Sequence, residues 1–205
     1  MKSIDPKIRL IQGNLRFVDE TQRIGSISAE ERSIASGDQK PFAVILSCSD
    51  SRVPPEIIFD QRLGDIFVIR VAGNVVSPTQ VGSIEFAVKE FGASLVVVLG
   101  HSGCGAVKAA LRSDQASRKN LSTGLSSIVN LILPSIDNLS EKGVGLNEAE
   151  LLSTAIRENI HNSVKSIKSQ SSGLNSMVLE RKIVIVGAEY SLDTGLVTFL
   201  DDDLS

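Results

Sequence analysis

Four short runs of this sequence are apolar almost without interruption: PFAVILSC at 41–48, DIFVIRVA at 65–72, SLVVVLG at 94–100 and KIVIVGAEY at 182–190. A strand with one wet face alternates apolar and polar residues. A strand covered on both faces does not, so these runs point to a parallel sheet held between helices. Between the second and third runs lies TQVGSIEFAVKEFG, in which Val81, Ile84, Val88 and Phe91 fall on one helical stripe. A helix joining two such strands makes a right-handed crossover. LDTG then turns the chain into a short fifth run, LVTFL. The expected fold is α/β, one domain over residues 1–205 with a mostly parallel central sheet of four to five strands flanked by helices.

The flanks read as helices. Two polar helical segments come first, near 5–20 and 28–37, the second opened by a Ser28–Glu31 capping box. Together they form an N-terminal arm over residues 1–38. Residues 113–147 are turn-rich around an amphipathic run, LSSIVNLILPSI, which Pro134 is expected to kink or end. A long helix is expected over 147–170. No internal repeat and no linker divides the chain.

The 205 residues contain only two cysteines, Cys48 and Cys104. The N-terminus lacks the apolar run of a signal peptide, and no run is long enough to cross a bilayer. A soluble cytoplasmic protein is expected, with no membrane partner. In that compartment a structural disulfide is disfavoured, and metal binding or catalysis is the better use of two thiols. Net charge is −3, and the basic residues are scattered, which argues against nucleic acid as a partner.

Cys48 ends the first apolar run, while His101 and Cys104 follow the third directly. Carboxyl ends of neighbouring strands are where open α/β sheets build their sites. If strands one and three are adjacent, two thiolates and an imidazole converge. That donor set suits zinc and leaves a fourth position open. The bland reading makes Cys48 a small buried hydrophobe. A closed structural site needs a fourth ligand, but the only other histidine, His161, falls with Arg157, Lys165 and Lys168 opposite the stripe Ile156, Ile160, Val164 and Ile167.

In an extended backbone, Cys48, Asp50 and Arg52 share one side. Asp50 beside zinc either binds the metal or accepts a hydrogen bond there, and a bidentate pair with Arg52 keeps it ionised and aimed. Standing alone, Asp-Ser-Arg reads as a solvated loop with an ion pair of little worth. The glycine-rich turn GHSGCG offers backbone amides to an anion, and the Gly105 amide is the candidate contact for an oxyanion or bicarbonate. It matches no nucleotide-binding fingerprint.

CSDSRVPPE, DIFVIRVAGN, GSIEFAV and VLGHSGCGAVKAAL, in this order and spacing, closely resemble the β-class carbonic anhydrases. The likeness runs from about Gln39 to Leu111, and the later IVGAEYSLDTGLV also fits. The resemblance implies one zinc ion per chain, held by Cys48, His101 and Cys104. It implies reversible hydration of carbon dioxide by zinc-bound hydroxide, aimed by an Asp50–Arg52 dyad. It further implies a homodimer or larger homo-oligomer, with the N-terminal helices extending onto a partner subunit and active sites at the interface. Gln39, Phe67 and Phe86 match family pocket residues, and Ala72 stands where many members have valine. Phe86 also lies roughly opposite its helix's own apolar stripe, as a pocket wall or subunit contact would.

Some members carry a second, inhibitory bicarbonate site built on a tryptophan and an arginine. Here Ile45 replaces the tryptophan while Arg70 is present, so this form of inhibition is not expected. A closed inactive state, with Asp50 on the zinc, is compatible with the motif. The rival reaction on this fold is hydrolysis of carbonyl sulfide or carbon disulfide. A rival of another class is a zinc-stabilised binding module, against which the Asp50–Arg52 pair speaks, since a structural metal needs no dyad.

Overall fold

A computed structural model describes residues 4–23, 25, 27–113, 120–137, 139 and 145–200. The chain runs α1 (Pro6–Val18), α2 (Ala29–Ala35), β1 (Ala43–Ser47), α3 (Pro55–Ile58), β2 (Ile66–Arg70), a 3-10 turn (Ala72–Asn74), α4 (Pro78–Phe91), β3 (Leu95–His101), α5 (Gly105–Arg112), α6 (Thr123–Asp137), α7 (Glu148–Gln170), α8 (Ser172–Leu179), β4 (Val184–Tyr190) and β5 (Val197–Leu200). The sheet order is β2-β1-β3-β4-β5. The first four strands are parallel, and β5 returns antiparallel on β4.

The uninterrupted apolar runs are explained by two cores. Val44, Leu46, Val96, Val98 and Ile185 face a layer containing Ile84, Val107, Ile132, Ile156 and Ile160. Their sequence neighbours Ala43, Ile45, Val97, Leu99 and Val186 point the other way, onto Leu10, Val53, Ile58 and Phe59. The long helix α7 can approach β3 and β4 closely because both strands carry glycine beneath Ile160. A Cβ on Gly100 or Gly187 would sit 2.6 Å from that side chain.

Local signals place the helix starts. Ser28 and Glu31 form the expected reciprocal cap. Asn147 and Glu150 do the same for α7, and Pro78 opens α4. Pro134 does not end its helix, contrary to one expectation: α6 continues to Asp137. Proline removes one N–H bond near the helix's last turn, and burial of Val129, Ile132 and Ser135 offsets that loss. Two short helices, α3 and α8, went unanticipated. Of the turn-rich stretch expected over 113–147, residues 114–119, 138 and 140–144 lie outside the described residues. Among the described residues, no helix is long and apolar enough to cross a membrane.

Candidate active site

Strands β1 and β3 are direct neighbours, with Ser47 opposite Leu99. Cys48 therefore leaves the sheet beside the end of β3, where His101 is the last strand residue. A tight turn through Gly103 (φ +67°) brings the chain to Cys104, which caps α5. Cys48 Sγ, Cys104 Sγ and a His101 ring nitrogen lie within 4.8 Å of one another, all three residues buried. Both cysteines are free thiols.

The imidazole is set for one task. Its Nδ1 is 3.0 Å from the Ser102 carbonyl oxygen. That oxygen only accepts, so Nδ1 carries the proton and a neutral ring keeps its lone pair on Nε2. Nε2 is buried and has no hydrogen-bond partner among the described residues. Ser102 is itself fixed, its amide donating to the Tyr190 carbonyl at 2.9 Å and its hydroxyl accepting from the Leu192 amide at 2.9 Å. An orphaned lone pair between two buried thiols fits a soft divalent metal.

The thiols also favour this reading. Cys104 beside Cys48 Sγ, then His101 and the Gly73 amide, hold the Cys48 thiol far down, to about 4. Cys104, next to that charge and buried, is pushed up. A divalent cation would displace the thiol protons on binding. The Gly73 N–H donates to Cys48 Sγ at 3.3 Å.

Asp50 is gripped by Arg52. Nε donates to Oδ1 at 2.9 Å and an Nη to Oδ2 at 2.8 Å, while the Arg52 amide donates to Oδ1 at 3.0 Å. The Arg52 hydrogen bonds, above all, hold this carboxyl well below the usual carboxylate range. Oδ2 lies 3.9 Å from His101 Nε2, too far for a hydrogen bond but adjacent to the donor trio.

This geometry corrects the extended reading of residues 48–52. The strand stops at Ser47, and the chain turns at Ser51–Arg52 with the Val53 amide donating to the Asp50 carbonyl at 3.0 Å. Asp50 and Arg52 meet across a turn that the Asp50 side chain itself closes, not along a pleat. Arg70 fastens the same loop from β2, donating to the Cys48 carbonyl at 3.2 Å and the Asp50 carbonyl at 2.6 Å.

The other candidates divide. Phe67 and Phe86 belong to one aromatic cluster, centroids 6.4 Å apart, and Phe91 joins both, at 6.1 and 5.5 Å. Phe86 is 52% exposed, as its place off the apolar stripe suggested. Ala72 begins the turn that leads to Gly73, and Gly105 opens α5 with open space around it. Gln39 lines a surface cleft with Arg32, Leu63 and Phe91 of that aromatic cluster. His161 is half-buried on α7 and joins no metal-competent group among the described residues. The Gly73 amide and the Arg70 grip on the loop escaped the sequence reading; the glycine three residues past β2, in VAGN, was the available signal.

A mostly parallel α/β sheet that gathers two thiols, an imidazole and a clamped carboxylate past its strand ends defines a metal-site enzyme class rather than a nucleotide binder. The profile of the family described as carbonic anhydrase matches residues 43–197, and the chain belongs to that family, in its β class. It is 38% identical over 193 residues to carbonic anhydrase 2 of Mycobacterium tuberculosis, covering 94% of this chain and 90% of that one. The carbonic anhydrase of Mycolicibacterium smegmatis is 36% identical, with 92% and 88% covered. Among solved structures, a tetrameric β-carbonic anhydrase of Sordaria macrospora superposes with a TM-score of 0.74 at 25% identity, over 83% of this chain and 85% of that one.

Proposed function

We propose that the protein is a zinc-dependent carbonic anhydrase, interconverting carbon dioxide with bicarbonate and a proton. One observation carries the reading: a buried Cys48–His101–Cys104 trio lies beside a carboxylate that Arg52 keeps ionised. In this reading the three side chains hold the zinc, with Nε2 supplying the nitrogen donor. Zinc bound there supplies a Lewis acid that makes a water-derived nucleophile available near neutral pH.

The protein's own groups do the rest. Asp50, clamped on both oxygens and held far below its usual range, stays a pure acceptor. It would accept a hydrogen bond from a nucleophile held beside the trio and so orient that nucleophile toward substrate. For the same reason Asp50 is not the base, and the released proton passes to solvent. Phe67, Phe86 and Ala72 form the apolar wall against which a weakly held, nonpolar substrate rests, and the Gly105 amide faces the developing anion. Released from Arg52, the Asp50 carboxylate would be a further donor beside the trio, and a protein closed in that way would be inactive.

The proposed assembly is a homodimer or larger homo-oligomer of a single 1–205 domain, with the arm at 1–38 lying on a partner and Gln39 serving a shared site. Its support is the exposed stripe Ile4, Ile8, Ile11 and Leu15 on and before α1, together with a cavity of ≈ 750 Å³ lined by Ile27, Ile34, Ile57 and Leu63. The proposed compartment is the cytoplasm, where two free thiols persist.

The test is stopped-flow hydration of carbon dioxide on protein of assayed zinc content. Fast turnover with about one zinc per chain is expected. Stoichiometric zinc without turnover at any pH from 6 to 9 sinks the reading. Light scattering that returns the mass of a single chain sinks the assembly.

A further inference from the structure

Two of the buried polar groups on α7, Asn159 and Ser163, stand one turn apart on a helix face that is otherwise the apolar stripe Ile156, Ile160 and Val164. Buried polar side chains are retained where they have specific partners. Here both partners lie in the 3-10 turn after β2. Asn159 Nδ2 donates to the Gly73 carbonyl at 2.8 Å, and Ser163 Oγ donates to the Asn74 carbonyl at 3.0 Å.

That turn is in a costly conformation. Gly73 has φ +69° and Asn74 has φ +45°, successive left-handed residues of which only the first is glycine. The Asn74 amide Nδ2 is buried without a partner among the described residues, so that amide gives the turn no support. In this conformation the Gly73 N–H donates to Cys48 Sγ, 3.3 Å away. Behind Asn159, the Ser135 hydroxyl on α6 lies 3.5 Å from Oδ1.

We propose that Asn159 and Ser163 are positioning residues for the metal centre: by fixing the left-handed Gly73–Asn74 turn, they hold the Gly73 amide on the Cys48 sulfur and so set the donor strength of that ligand. This rests on the reading of Cys48 as a metal ligand. An N–H···S bond stabilises negative charge on sulfur, and groups that fix a ligand's outer hydrogen bonds govern metal affinity.

The experiment uses cobalt(II) in place of zinc, followed by absorption, in the full chain. Asn159→Ala and Ser163→Ala are each compared with Asn162→Ala. Asn162 Nδ2, on the same helix, donates instead to the Leu131 carbonyl on α6 at 3.4 Å and not to the turn. The expected result is a thiolate-to-cobalt band displaced to longer wavelength in Asn159→Ala and Ser163→Ala. Cobalt affinity should fall about tenfold or more in both. Asn162→Ala should match the wild type. Ser163→Ala, the milder deletion, keeps the test open should Asn159→Ala not fold. Unchanged bands in both turn variants, or the same change in all three, overturns the inference. A wild-type protein that binds no cobalt overturns the metal-site reading itself, and is thereby distinguishable.

Discussion

Arg52 holds Asp50 by both carboxylate oxygens, at 2.9 and 2.8 Å, and adds its own backbone amide at 3.0 Å. The partners are two residues apart, so the clamp is local to one turn and survives independently of the metal. Side-chain exposure is 18% for Asp50 and 59% for Arg52, which makes the pair a weak contributor to stability. Its value lies in orientation.

Replacing either partner should therefore separate turnover from metal binding. Asp50→Asn is expected to lower kcat/KM by about 100-fold or more while zinc stays bound, the scale seen when one preorganised group is lost. Arg52→Lys should also be impaired, because an ammonium cannot reproduce the bidentate grip. Stopped-flow rates and metal analysis on the same samples check this, and parallel loss of zinc would favour a purely structural metal.

Chelation should abolish activity and leave the fold. Apart from Cys48 and Cys104, which belong to one of them, the two cores on either face of the sheet are built of side chains that need no metal to pack. Far-ultraviolet circular dichroism of the chelated protein is expected to keep its helical signal, and added zinc to restore turnover. His101→Ala should lose zinc in the same way, since it removes the sole nitrogen donor of the trio.

The pH response has two separable parts. Two thiolates would place more negative charge on a bound zinc than imidazoles do, so water activated there would be a weaker acid than at a three-histidine site. Activity should rise from pH 6 to pH 9, and a flat profile over that range counts against the assignment. Asp50 does not cause this rise. Its folded pKa is depressed, so its contribution to stability is whole above the unfolded value of about 4 and fades only as pH falls further. Urea unfolding of wild type and Asp50→Asn should show a small difference at pH 7 that shrinks below pH 4.

Gly187→Ala tests the approach of α7 to the sheet. The added Cβ would meet Ile160 Cγ2 at 2.6 Å, an overlap that costs about 1–3 kcal/mol in a packed core. Adding Ile160→Val, which trims the same side chain, is expected to recover part of the loss in urea titrations.

Much of this protein follows from its order of residues. Uninterrupted apolar runs mark strands buried on both faces, because a strand with a solvated face cannot afford apolar residues at every position. Cys48, His101 and Cys104 could be assigned to strand ends from their places next to those runs, and the Ser28–Glu31 box announced its helix. These are local or periodic signals, carried by neighbours in sequence.

What escaped was decided by residues distant in the chain. The continuation of α6 through Pro134 depends on packing that the LPSI run does not contain. The Asp50–Arg52 pair itself was legible, but alternation suggested a straight strand where the chain turns after Ser47, and Arg70, 20 residues on, fastens that turn. The pairing of Asn159 with Gly73 spans 86 residues and that of Ser163 with Asn74 spans 89. Periodicity tells which face of a helix is buried, but only the tertiary structure brings a carbonyl to a polar group on that face. Sequence thus named the candidate sulfur and nitrogen donors; packing chose which backbone amide would face Cys48.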